Sequence, residues 1–147
     1  MSTVRGTGDG ENHRFIGWLI AIAVGGLAIR VAYILVFRTE QLPLPFYDSL
    51  IFHLGGNDLA QGKGFIDAFT GDQAAAHPPL YLLWLAIPSL LSPGQAATPT
   101  THMLWSSLLG VGTIVVCGLT GREIAGPRPG LIAAGFVMPS RFITCWT

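Results

Sequence analysis

The feature that most constrains this chain is an apolar run from Phe15 to Phe37. It contains 23 residues and a single charge, Arg30. A helix of this length extends about 34 Å, which is enough to cross a bilayer with slight tilt. A secretory signal has a shorter apolar core and ends at a small-residue cleavage site, whereas this run ends in Val-Phe-Arg. We therefore predict a retained transmembrane helix over residues 15–37.

The composition extends this prediction to the whole chain. Of the 147 residues, 50% are hydrophobic and 11% are charged, whereas a soluble domain carries roughly a quarter charged residues. The net charge is zero and no Lys/Arg cluster occurs, which argues against nucleic acid as a partner. The two cysteines, Cys117 and Cys145, lack the spacing of a metal site. We predict an all-α, multi-pass membrane protein whose partners include membrane lipids.

Two polar segments flank the first predicted helix. Residues 1–14 are predicted to form a disordered tail, and residues 38–77 a loop outside the cytoplasm that holds five acids, two bases and two histidines. Apolar residues recur at helical spacing near the start of this loop, at Tyr47, Leu50, Ile51 and Leu54. This spacing predicts an amphipathic helix on the membrane surface. Gly62 and Gly64 are expected to end it, and a loop is expected over residues 65–76.

Three further apolar segments follow. Residues 78–91 are predicted to form a transmembrane or re-entrant segment, which opens at Pro78-Pro79 and is interrupted by Pro88. Residues 102–120 are predicted to form transmembrane helix 3, and residues 129–147 an incomplete segment 4. Because segment 4 is too short to span a bilayer, we expect the chain to be either a fragment or the product of a disrupted reading frame.

The charged residues leave the membrane orientation of these segments open. Arg5 and Arg14 precede the first helix together with two acids, so the positive-inside rule discriminates weakly there. Arg122 and Arg128 favour a cytoplasmic connector after segment three. If residues 1–14 are cytoplasmic and all three predicted segments span the membrane, this connector lies outside the cytoplasm, which conflicts with its arginines. One resolution is that residues 79–91 enter the membrane and return without crossing.

The order of several short motifs resembles a known group of membrane enzymes. The motifs are RVAY at 30–33, YD at 47–48, LAQGKGF at 59–65, HPPLY at 77–81, GREIAG at 121–126 and GLIAA at 130–134. They are similar to motifs of the integral-membrane glycosyltransferases that use polyprenyl-phosphate sugars. This group has the C-type glycosyltransferase fold and contains protein O-mannosyltransferases and aminoarabinose transferases. Its members are several times longer than this chain, so we expect a 147-residue product alone to be inactive.

The resemblance implies a function and a set of site residues. It implies transfer of a hexose or pentose, with mannose one alternative, from a polyprenyl phosphate to a hydroxyl acceptor on a protein, lipid or glycan. Asp48 matches the family's proposed catalytic base, and His77 lies near a position where some relatives have an acidic metal ligand. His77, Lys63 and Arg30 are the candidate substrate-binding residues. No cofactor is fixed, and a divalent metal is left open.

Each candidate residue also has a purely structural interpretation. Asp48 can cap a helix N-terminus, His77 can lie among lipid headgroups, and Lys63 can be a solvated turn residue. Arg30 can pair with a buried acid or a lipid phosphate within the membrane. We assign no role to His13 or His102. The competing hypothesis for the whole chain is a non-catalytic membrane remnant, anchor or assembly component.

Overall fold

A computed structural model describes residues 7–37, 48–67, 70–73 and 78–140, and most of these residues are helical. The α-helices are α1 (Thr7–Phe37), α2 (Asp48–Ala60), α3 (Pro79–Leu91), α4 (Pro99–Ala125) and α5 (Pro127–Ser140). A 3-10 turn, Pro93–Gln95, follows α3. The described residues contain no strand, only an isolated antiparallel bridge between Ile66 and Gln73.

Two of these helices, α1 and α4, are long and apolar enough to cross a membrane. Their candidate spans are Gly10–Phe37, with 28 residues, and Pro99–Ala125, with 27. They contain the predicted segments 15–37 and 102–120. The third apolar helix, α3, has only 13 residues, and α5 has 14.

The helix α1 begins at Thr7, so residues 7–14 form its first turns although we expected a disordered tail there. A tertiary contact accounts for the difference. Arg122, near the end of α4, donates from Nη1 to Asn12 Oδ1 at 2.7 Å and lies over the Phe15 ring at 4.8 Å. These contacts hold the polar start of α1 against α4.

The described chain divides into two compact units. The first contains residues 7–32 and 107–140, and its core consists of Phe15, Leu19, Ala23, Ile114 and Ala134. Glycines allow α4 and α5 to approach closely there: a Cβ built on Gly130 would lie 2.6 Å from the Gly118 carbonyl oxygen. Only a residue without a side chain fits at that crossing.

The second unit lies within residues 33–106 and contains α2, α3 and the start of α4. α2 packs on α3 through Gly55 and Gly56, where an added Cβ would lie 2.9 Å from the side chains of Leu82 and Leu85. The buried residues of α2 are therefore small or polar: His53, Gly55, Gly56, Asn57 and Ala60. Leu50, Ile51 and Leu54, the apolar residues of the predicted amphipathic helix, are half-buried.

The helix α2 ends at Ala60, just before Gly62 and Gly64, as the sequence predicted. Gly62 adopts a φ of 77°, its N–H donates to Leu59 O, and the Lys63 N–H donates to Asp58 O. This pair of bonds is a Schellman motif, which needs a left-handed residue at the position of Gly62.

Pro88 does not interrupt α3, which continues to Leu91. A proline has no N–H, so the Trp84 carbonyl four residues earlier loses its helical donor. The indole N–H of Trp105 donates to that carbonyl at 3.0 Å. The Trp84 and Trp105 rings also pack together, with centroids 5.0 Å apart. A neighbouring helix thus supplies the hydrogen bond that the proline removes.

Candidate functional site

The predicted catalytic base, Asp48, is the first residue of α2. Its side chain and the whole of His77 lie outside the described residues. The sequence places His77 two residues before α3, which begins at Pro79. The roles proposed for both residues stay predictions.

Lys63 is held at the other end of α2. Its ammonium contacts the Asp58 carboxylate at 2.6 Å, and its backbone completes the helix C-terminus. A helix of 13 residues is about 20 Å long, so Asp48 and Lys63 lie far apart. The structure therefore does not bring these two candidates together.

Arg30 belongs to the first unit, whereas Asp48 and Lys63 belong to the second. Its side chain is buried with 9% exposure, and an added Cβ on Gly110 would lie 2.9 Å from its Cζ. The guanidinium donates from Nη2 to Met138 O, in the last turn of α5, at 3.4 Å. Helix C-termini carry partial negative charge, which favours a cation there.

Four polar side chains that we did not group from the sequence meet in the second unit. We call His53, Asn57, Ser89 and His102 the buried polar cluster, because each is 9% exposed or less. His53 Nδ1 lies 2.9 Å from His102 Nδ1, and His102 Nε2 lies 2.8 Å from Ser89 Oγ. The cluster connects α2, α3 and the first turn of α4.

Asn57 anchors one end of this cluster. Its Nδ2 donates to Ala97 O at 3.3 Å, and its Oδ1 accepts from Ala97 N at 2.9 Å. The same Oδ1 accepts from Ser89 Oγ at 2.7 Å. The side-chain amide thus pairs with the backbone of the loop before α4.

These contacts determine where the protons lie. Ser89 has one hydroxyl hydrogen, which can go to Asn57 Oδ1 at 2.7 Å or to Leu85 O at 3.2 Å, and the shorter contact favours Asn57. His102 Nε2 must then donate to Ser89 Oγ, which leaves Nδ1 of a neutral His102 as an acceptor. His53 therefore donates from Nδ1 to His102, and its own Nε2 carries the free lone pair.

Burial favours the neutral form of His53, the first donor of the buried polar cluster. Desolvation lowers the pKa of His53 below the ordinary histidine value of 6.5. A neutral His53 fits this arrangement, because its Nδ1 then donates to His102 Nδ1 and its Nε2 carries no proton.

The geometry does not favour nucleophilic catalysis by Ser89. A serine nucleophile needs its hydroxyl proton directed at a base, whereas Ser89 donates to Asn57 and accepts from His102. Ser89 is also fully buried. The part of the chain that the structure describes holds no group of three or more His, Cys, Asp or Glu side chains suited to a metal. The cluster holds α2, α3 and the start of α4 together.

Sequence reasoning missed this cluster because its members are far apart in the chain. His102 received no role from the sequence, yet its side chain is 1% exposed and hydrogen-bonded at both ring nitrogens. One local signal was present: His53 and Asn57 are four residues apart with glycines between them. That spacing puts two polar groups on one small-residue face of a helix.

The described residues thus define an all-helical chain with two helices long and apolar enough to span a membrane. Comparison with known proteins adds no family: no family model, no curated protein and no solved structure matches the chain.

Proposed function

We propose that this chain acts, alone or within a larger enzyme, as a multi-pass membrane glycosyltransferase that moves a sugar from a polyprenyl phosphate to a hydroxyl acceptor outside the cytoplasm. Asp48 is the proposed general base. As the acceptor oxygen attacks the anomeric carbon, its proton passes to the carboxylate and the sugar–phosphate bond breaks. The polyprenyl phosphate leaves with that bonding pair.

One observation carries this proposal. The Phe52 and Tyr81 rings meet edge to face with centroids 4.9 Å apart, so the first turns of α2 and α3 lie side by side. Phe52 is four residues after Asp48, and Tyr81 is four residues after His77. The two family-like motifs therefore begin helices that converge at the same end, which supports a shared site there.

The chemistry at that end fits the reaction. A carboxylate at a lipid–water boundary is partly desolvated, which raises its proton affinity toward that of a useful base. The departing phosphate needs a donor or cation nearby. His77 is the better candidate for this contact than Lys63, which lies at the far end of α2 paired with Asp58.

The Asp48→Asn substitution tests the base directly. We expect it to slow sugar transfer by about 10²–10⁴-fold, the usual contribution of general-base catalysis. Transfer would be measured in native membranes supplied with a panel of labelled polyprenyl-phosphate hexoses and pentoses. Asp72→Asn makes the same chemical change at an exposed loop residue and should leave the rate unchanged. A wild-type rate in Asp48→Asn would remove Asp48 as the base.

A second candidate function is a non-catalytic membrane assembly component. The polar side chains of the second unit favour it because they bind one another. The buried polar cluster is hydrogen-bonded internally, and Lys63 is paired with Asp58. Deletion of the chain distinguishes the two functions. Membranes that keep full polyprenyl-phosphate sugar transfer without the chain would favour the assembly component.

A further inference from the structure

The two candidate membrane spans run antiparallel in the first unit. Asn12 of α1 contacts Arg122 of α4, and further along, a Cβ on Gly26 would touch Ile114 and one on Gly110 would touch Arg30. Residue numbers rise along α1 as they fall along α4. If both helices cross a membrane, the chain therefore leaves α1 and enters α4 on the same side.

The charges agree with one orientation of this pair. Arg14 near the start of α1 and Arg122 near the end of α4 belong to the shared end, because Arg122 contacts Asn12 and Phe15. Arg128 follows directly in α5. Basic residues flanking membrane spans favour the cytoplasm, and the segment between the two helices carries fewer of them, Arg38 and Lys63. The segment between α1 and α4 then starts and ends outside the cytoplasm.

Contacts in the second unit bring the end of α2 and the loop after α3 together. Asn57 binds both backbone groups of Ala97, so the last turn of α2 lies against the loop between α3 and α4. The next residue in α2 is Asp58, whose carboxylate pairs with the half-exposed Lys63. An ion pair of this kind belongs in water rather than in hydrocarbon. The end of α2 and the loop after α3 thus share one aqueous side.

The shape and surface of α3 suit insertion without crossing. Its 13 residues extend about 20 Å, while the hydrocarbon core is about 30 Å thick. It carries no charged residue. Its outer face is exposed and apolar, formed by Leu80, Leu83, Ile87, Leu90 and Leu91. The opposite face packs on α2 and holds Ser89 in the buried polar cluster.

We propose that α3 is embedded in the outer leaflet without crossing, with this leucine face against lipid acyl chains and α2 on its other face. The proposal rests on the membrane location given under Proposed function but not on the transferase activity. It resolves the orientation left open by the sequence: α1 and α4 cross, α3 does not, and the Arg122–Arg128 connector is cytoplasmic.

Single-cysteine labelling tests this topology in the full chain. In a background with Cys117→Ala and Cys145→Ser, cysteine is introduced at Gln61, Ala96 or Ala125, all exposed positions. A membrane-impermeant maleimide is applied to intact cells and to inverted vesicles, and detergent-permeabilised samples show the full reactivity of each site. We expect Gln61→Cys and Ala96→Cys to react only from outside, and Ala125→Cys only from the cytoplasmic side.

The outcomes separate this proposal from the proposed function. Labelling of Gln61→Cys and Ala96→Cys from opposite sides would mean that α3 crosses, and the proposal would be wrong. Labelling of Ala125→Cys from the same side as both would also overturn it, because α4 would not cross. If the first two sites react only from the cytoplasm and Ala125→Cys only from outside, α3 still does not cross, but its placement in the outer leaflet is wrong and an extracytoplasmic transferase fails with it.

The lipid contact has its own measurement. A fluorophore on Leu83→Cys, in liposomes that contain spin-labelled phosphatidylcholine, should be quenched strongly by the lipid and weakly by aqueous iodide. The same fluorophore on Gln61→Cys should show the reverse. Equal iodide quenching at the two sites would exclude acyl chains as the occupant of the leucine face.

Discussion

At the scale of single residues, the buried polar cluster is a chain of donors and acceptors with one proton at each link. His53 donates to His102, His102 to Ser89, and Ser89 to Asn57. Asn57 then fixes the Ala97 backbone. A buried polar group left without its partner costs about 1–3 kcal/mol, so the four residues of the buried polar cluster depend on one another.

Protonation of His53 should weaken the fold. Since burial lowers its pKa below 6.5, the unfolded chain binds more protons than the folded protein below that pH. Stability is therefore fully present above about pH 6.5 and falls as the pH drops through the range below it. We expect a lower free energy of unfolding at pH 5 than at pH 7.5, measured by denaturant titration in detergent micelles.

Two histidine variants locate the source of this pH dependence. His53→Gln keeps a donor near His102 but cannot titrate, so the slope of stability against pH should become shallower. His13→Gln, at an exposed position of α1, is the matched control for the loss of a histidine. A full slope in His53→Gln would assign the effect to another group.

At the scale of helices, α3 tolerates Pro88 because α4 supplies the missing donor. Trp105→Phe keeps the ring packing against Trp84 but removes the N–H that binds the Trp84 carbonyl. We expect this substitution to lower the free energy of unfolding by about 1–3 kcal/mol. The measurement is the same denaturant titration at neutral pH.

A double-mutant cycle checks the cause of that loss. Pro88→Ala restores a backbone N–H that can donate to the Trp84 carbonyl within α3. Trp105→Phe should therefore cost less in the Pro88→Ala background than in the wild-type chain, and the difference is the coupling energy. Equal costs in both backgrounds would show that the indole contributes through packing alone.

The crossing of α4 and α5 depends on glycine. A Cβ on Gly130 would meet the Gly118 carbonyl at 2.6 Å and the Arg122 nitrogen at 2.8 Å, both backbone atoms that cannot rotate away. Gly130→Ala should destabilise the protein by about 1–3 kcal/mol, as overpacking usually does. At Gly135, also in α5, an added Cβ meets nothing within 4 Å, so Gly135→Ala should be neutral or slightly stabilising. Thermal unfolding of both variants measures the contrast.

At the scale of the whole molecule, large apolar side chains of the candidate spans remain exposed. Trp18, Val24 and Val36 of α1 and Val116 of α4 are each more than half exposed. Large apolar side chains exposed along both long helices fit a lipid or protein partner. We expect the chain to remain in the membrane pellet after alkaline carbonate extraction, while a peripheral protein of the same membrane is released. Recovery in the supernatant would contradict the transmembrane assignment.

The sequence predicted local features well and tertiary contacts poorly. The apolar runs gave the positions of α1, α3 and α4, and the glycines around Lys63 gave the end of α2, because apolar length and backbone freedom are local properties. The helical start at Thr7 was not predicted, since residues 7–14 are polar and are held by Arg122, more than a hundred residues away. The continuation of α3 past Pro88 likewise depends on Trp105.

Asp48, Lys63, His77 and Arg30 could be singled out from the sequence, but their grouping could not. The structure puts Lys63 at the opposite end of α2 from Asp48 and gives Arg30 a contact in the last turn of α5. The cluster of His53, Asn57, Ser89 and His102 had no sequence signal as a set. Its residues lie on three helices, and only packing brings them within hydrogen-bond distance.

Runs of apolar residues were enough to predict a helical chain with two segments that can span a membrane. Packing between distant segments was needed to establish which face of α2 is buried, how Pro88 is accommodated, and that α1 and α4 run antiparallel. Those outcomes depend on side chains distant in sequence meeting in space, and each hydrogen bond or close glycine contact forms only once the helices have packed.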